Sequence, residues 1–88
     1  MTTRIYADFN SQDEHGRVDL HTAGSRRDLE SLRNQICSGL PVVLYFDDVE
    51  VDAVLEYDPE LMRWFGVVSD WSSYREIPDK QYDQQPAI

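Results

Sequence analysis

The chain has 88 residues, 41% of them hydrophobic and 28% charged, with 17 acids against 8 bases for a formal net charge of −9. One domain fits that length, and size scaling has it bury roughly 64% of its unfolded surface, enough to fold without metal or disulfide. A single lysine, Lys80, and an excess of acids leave no clustered cations for a duplex or RNA surface, so nucleic acid is not an expected partner.

Cys37 is the only cysteine, which rules out an intrachain disulfide and fits a reducing compartment. No stretch approaches the roughly 20 apolar residues of a membrane helix. Met1-Thr2-Thr3-Arg4-Ile5 is not followed by an apolar run of signal-peptide length. The expectation is a cytoplasmic protein with no membrane attachment.

Ile5, Ala7 and Phe9 alternate with Tyr6 and Asp8, the period of a half-buried strand. The polar stretch from Asn10 to Gly16 reads as a loop, and Arg17 to His21 alternates again, so the two segments are expected to pair as a hairpin. Ser25 is expected to open a helix through a capping box with Asp28, an imperfect one because aspartate is shorter than glutamate. Leu29, Leu32 and Ile36 form an apolar stripe with Cys37 beside it as a small core residue, while Arg26, Arg27, Glu30 and Arg33 face outward. Gly39 is placed to end this helix in a left-handed conformation.

From Val42 to Val68 the chain reads as a three-stranded meander whose register follows from its turns. A two-residue turn at Asp47-Asp48 pairs Phe46 with Val49, Leu44 with Val51 and Val42 with Ala53. A four-residue loop from Asp58 to Leu61 pairs Tyr57 with Met62, Leu55 with Trp64, Ala53 with Gly66 and Val51 with Val68. Both registers put Val42, Leu44, Phe46, Val49, Val51, Ala53, Leu55, Tyr57, Met62, Trp64 and Val68 on one face, which the helix should cover. Beyond Trp71 the periodicity fades. The reading is one α+β domain over residues 1–76, a small, strongly twisted antiparallel or barrel-like sheet of order ββαβββ with one helix packed on it, and a flexible tail over 77–88.

The meander's second face mixes Glu50, Asp52, Glu56 and Arg63 with Val43, Tyr45, Val54, Phe65 and Val67, and sets Glu56 opposite Arg63 and Val54 opposite Phe65. An exposed apolar patch of that kind marks either a surface that another part of the chain folds over or a binding surface. Val43, Tyr45, Val54, Phe65 and Val67 are therefore the candidate interaction surface, for a protein partner or a second copy of the chain. Asp48, Glu50, Asp52 and Glu56 form a candidate acidic patch, read chiefly as a solvated face and alternatively as a dock for a basic partner.

Chemical signatures are missing from the pattern. A calcium loop counted from Asp48 would need glycine where Ala53 stands and a bidentate glutamate where Pro59 stands. His15 and His21 have no metal-ligand spacing to each other or to Cys37, and the four glycines are isolated, so no phosphate loop exists. Carboxylates on neighbouring strand positions lack the burial that acid–base catalysis requires, and Ser72 and Ser73 have no base nearby in sequence. No cofactor or metal is expected, and no catalytic residues are nominated. Trp71 and Tyr74 either plug one end of the sheet or form an aromatic contact for a ligand.

The stretch from Gly39 through Asp58, a glycine, a Val-rich strand and a second strand ending in aspartate, resembles the small SH3-like and Sm-like barrels over about twenty residues. It departs from them in lacking a glycine in the second strand and a basic loop. The function expected is a small acidic non-enzymatic protein-interaction module, with a second copy of the chain among its candidate partners; the alternative is an acidic mimic or immunity-type inhibitor that occupies a basic site on another protein.

Overall fold

The computed structural model describes residues 3–77. The elements run β1 (Arg4–Tyr6), β2 (Val18–Asp19), α1 (Ala23–Ser31), β3 (Pro41–Phe46), β4 (Val49–Asp58) and β5 (Arg63–Val68). A 3₁₀ turn (Trp71–Ser73) and β6 (Arg75–Glu76) follow. One helix packs against one six-stranded sheet, an α+β fold. The strand order is β1-β3-β4-β5-β2, with β6 on the same edge of β4 as β5.

The β3–β4 hairpin has the expected register throughout, Phe46 opposite Val49 and Val42 opposite Ala53. Its turn works because Asp47 takes a left-handed φ of 56°, which aspartate tolerates better than bulkier residues. The β4–β5 register differs from expectation by two residues: Tyr57 faces Trp64, Leu55 faces Gly66 and Ala53 faces Val68. The cause is Asp58. Its Oδ1 accepts from the N–H groups of Glu60 and Leu61, and its carbonyl accepts from Met62 N–H at 2.7 Å. Asp58 thus closes the loop and is itself the last paired residue, opposite Arg63. A shift of two preserves the faces, but it moves Met62 off the core face into the loop, where it is 76% exposed. It also replaces Val54–Phe65 and Glu56–Arg63 with Val54–Val67 and Glu56–Phe65.

The N-terminal segments do not pair with each other as expected. β1 runs parallel to β3 and β2 runs antiparallel to β5, so they occupy opposite edges and the sheet is mixed. A smaller hairpin forms inside the intervening loop instead: Asp13 N–H donates to the Arg17 carbonyl and Asp19 N–H to that of Ser11. With β1 and β2 apart, the barrel suggested by the resemblance does not close.

The edge of β1 is sealed from outside. The outward N–H of Tyr6 donates to Asp28 Oδ2 at 2.8 Å, and its outward carbonyl accepts from the Ser25 hydroxyl. Unpaired strand edges invite pairing with another chain, and here two helix side chains block that. Asp28 is therefore not the partner of a capping box. Thr22 caps the helix, its hydroxyl accepting from Ser25 N–H. The helix stops at Ser31, earlier than Gly39 would have it, and Gly39 sits with φ 96° in the loop leading to β3. Cys37 lies beyond the helix and is exposed, not core.

The core is Ile5, Ala7, Val18, Leu20, Leu29, Val42, Leu44, Val51, Ala53 and Leu55, with Leu32, Ile36, Trp64 and Val68 packed at its margin. Gly66 faces this core where a Cβ would lie 2.6 Å from Leu44 Cδ1, so the buried leucine fills the space the glycine leaves. The frayed tail expected over 77–88 lies outside the described residues except for Ile77, whose N–H donates to the Asp48 carbonyl at 2.9 Å.

Candidate functional site

The second face of the sheet is organised by arginines from distant parts of the chain. Glu50 is 5% exposed. Its carboxylate lies between Arg4 Nη1 at 2.7 Å and Arg75 Nε at 2.8 Å. Arg75 also reaches Asp52 at 3.0 Å. The carboxylates of Asp52 and Glu50 together hold the Arg75 guanidinium protonated, against partial desolvation, so its pKa rises. Arg17 bonds Asp13 and Glu56 at 2.7 Å each and Asp58 at 3.1 Å, while its guanidinium lies 4.0 Å from the centre of the Phe65 ring. Arg63 pairs with Asp19 at 2.8 Å rather than with Glu56.

Glu50, Asp52 and Glu56 do share a side of the strand, yet they are not a free acidic patch. A buried carboxylate is tolerated only when paired and hydrogen-bonded, and Glu50 has two guanidinium partners. Glu50 is thus a correction to the solvated face. Asp48 alone of the four candidate acids has no side-chain ion pair among the described residues.

The apolar candidates on this face are also drawn inward. Phe65 is 1% exposed and Val43 6% exposed, so a partner could reach Phe65 only by displacing Arg17. Tyr45 is half-buried, its ring 5.2 Å from the Arg4 guanidinium and its hydroxyl donating to Asp28 at 2.8 Å. Burial, then the hydrogen bond to that carboxylate, pushes the Tyr45 phenol above its ordinary pKa. Val54 and Val67 face each other, half-buried. Val43 and Val54 line an open groove of about 540 Å³ with Thr3, Pro41, Asp52 and Ser69. The loop between β1 and β2 therefore covers part of this face, and the groove is what remains open.

A different cluster is more exposed. Aromatic rings run in a chain across one end of the sheet. Tyr45 meets Tyr6 (5.7 Å between centres), Tyr6 meets Phe46 (5.8 Å), and Phe46 meets Phe9 (5.9 Å). Phe9 then meets both Trp71 (6.2 Å, 81°) and Tyr74 (6.0 Å, 62°). Such edge-on arrangements suit the ring quadrupoles. Trp71 is 43% exposed and Tyr74 49%.

The turn that carries these two rings is fixed to the sheet. Asp70 accepts from Ser72 N–H, Ser73 accepts from Asp52 N–H at 3.0 Å through its hydroxyl, and the Ser73 carbonyl accepts from Arg75 at 2.7 Å. The bonds from Ser72 hold the Asp70 carboxyl below its ordinary pKa. Trp71 and Tyr74 are held out to solvent by an anchored turn.

Comparison with protein-family models, curated proteins and solved structures gave no match. Among the described residues no group of three or more His, Cys, Asp or Glu is arranged to hold a metal ion, and no helix is long and apolar enough to cross a membrane. The aromatic cluster brings Phe9 to Trp71 and Tyr74 across more than sixty positions of sequence. Phe9 was readable only as the third member of the Ile5–Ala7–Phe9 alternation. Its proximity to Trp71 follows from β1 lying beside β3, which nothing in the local pattern signals.

Proposed function

We propose that the protein is a small non-enzymatic protein-interaction module whose contact surface is the aromatic patch formed by Phe9, Trp71 and Tyr74. The observation that carries this reading is the pair of large rings, Trp71 and Tyr74, held 43% and 49% exposed on a turn bonded to β4. Aromatic side chains with few torsions supply contact area at low entropic cost and are enriched among interface hot spots. A rigid turn beneath them lowers the ordering cost of binding further.

Self-association through Val43, Val54, Phe65 and Val67 has less support, because Phe65 and Val43 are buried within the chain. An acidic-mimic role has less support for a related reason: Glu50, Asp52 and Glu56 already hold arginines of the same molecule.

Site-specific photocrosslinking in the protein's own cells tests the reading. Benzoylphenylalanine in place of Tyr74 should form a discrete adduct with another protein, whereas the same residue in place of exposed Asn34 should not. Equal labelling from both positions, or none from position 74, would refute it.

A further inference from the structure

Two aromatic–acid clusters in this fold are covered by an arginine of the same chain. Arg17 lies 4.0 Å from the Phe65 ring centre while bonding Asp13, Glu56 and Asp58. Arg4 lies 5.2 Å from the Tyr45 ring centre while bonding Glu50. In each a guanidinium lies over a ring and donates to carboxylate oxygens, and lysine offers neither the planar group nor the fork of donors.

The rings of Phe9, Trp71 and Tyr74 have no such cation over them among the described residues, and acids lie next in sequence to two of the cluster's phenylalanines. Asp8 adjoins Phe9, and the exposed pair Asp47 and Asp48 follows Phe46, whose ring is 5.9 Å from that of Phe9. Asp47 and Asp48 have no ion pair among the described residues, and no arginine there lies over Phe9, Trp71 or Tyr74. Arg75 follows Tyr74 directly, but its guanidinium is turned to Glu50 and Asp52. The other sheet arginines, Arg4, Arg17 and Arg63, are likewise engaged. The outer edge of β1, the alternative place for a peptide to add, is closed by Ser25 and Asp28.

We propose that the Phe9–Trp71–Tyr74 patch binds an extended, arginine-bearing segment of another protein, the arginine stacking on the exposed rings while Asp47 and Asp48 take its charge. This rests on the interaction reading above and adds the partner's chemistry.

A random linear-peptide library displayed on phage, panned on the wild-type protein and on the Trp71→Ala/Tyr74→Ala variant, tests both levels. Peptides captured by the wild type alone should contain arginine. In anisotropy titrations of a labelled copy, citrulline in its place should weaken binding about tenfold or more, and lysine by less. Asp47→Asn with Asp48→Asn should weaken binding and flatten its salt dependence. Ring-dependent peptides indifferent to citrulline would overturn the arginine assignment and leave the interaction reading standing. If no peptide depends on Trp71 and Tyr74, both fall. Both variants alter exposed side chains, and an unchanged far-UV spectrum establishes that they fold.

Discussion

Glu50 offers the sharpest test of how the second face is held together. Glu50→Gln preserves shape and removes the charge that Arg4 and Arg75 share at 2.7 and 2.8 Å. A hydrogen bond to a charged group contributes about 1.5–3 kcal/mol net. Two such bonds would bring the loss to about 3–6 kcal/mol if both arginines were left buried. Their side chains are 40% and 39% exposed, however, so water recovers much of that on the arginine side. A net loss of about 2 kcal/mol follows, against a total of about 5–15 kcal/mol for an ordinary domain. At about 4–8 °C per kcal/mol for this size, the thermal midpoint should fall by about 8–16 °C. Urea unfolding should report the same loss with an unchanged slope. Because Glu50 is 7% exposed at the side chain, the deficit should persist in 1 M salt, where a solvated pair would be screened. Glu56→Gln, at a position 47% exposed, should cost clearly less. A Glu50→Gln midpoint within about 2 °C of wild type, or a deficit that vanishes in salt, would refute the argument.

Gly66→Ala should destabilise by about 1–3 kcal/mol through overpacking, since its new Cβ would meet Leu44 at 2.6 Å; adding Leu44→Val should restore part of the loss in urea titrations. Asp28→Ala leaves Tyr6 N–H and the Tyr45 hydroxyl without their partner, so stability should drop by about 1–3 kcal/mol. The β1 edge should then self-associate, seen as a concentration-dependent mass by light scattering, and Asp28→Asn should be milder. Besides Asp70, two carboxyls that bond Arg17 are held below the ordinary value of 3.8. The Leu61 N–H is the main cause at Asp58; at Asp13 burial opposes the shift and bonds from Arg17 outweigh it. A carboxylate depressed in the folded state contributes stability above its unfolded pKa and loses it as pH falls through the folded one. The urea midpoint set by these groups should therefore hold above pH 5 and decline from about pH 4 downward, and Asp58→Asn should flatten that decline.

The parts of the fold legible in the sequence are those set by short-range rules. The Asp47-Asp48 turn and strict alternation specify the β3–β4 register down to the residue. The β4–β5 register needed one more fact, that Asp58 can cap its own loop and still pair with Arg63. Its two-residue error left the faces intact but put Met62 in the core and missed the Tyr57–Trp64 contact. Period alone reports which face of a strand is apolar, not which strand lies beside it. Ile5–Ala7–Phe9 and Arg17–His21 both alternate, and nothing local says that they belong to opposite edges. The ion pairs were hidden for the same reason. Glu50 is 46 positions from Arg4 and 25 from Arg75, so within an acidic run whose Asp48, Asp52 and Glu56 are exposed, the burial of Glu50 between two arginines could not be read locally. The exposure of Cys37 was missed because the helix stops at Ser31.

The arrangement of β1 and β2 bears on the order in which the molecule can assemble. Among the described residues β1 joins the sheet through β3 and β2 through β5, so the segments that carry them have no sheet to join until some forty more residues have been made. β3, β4 and β5, joined by short turns, can pair as soon as they are synthesised, because closing a short loop costs little entropy. The N-terminal strands then dock on a platform already built, one at each margin, and α1 locks the first of them through Ser25 and Asp28. Synthesis thus delivers the sealing pieces before the surface they seal.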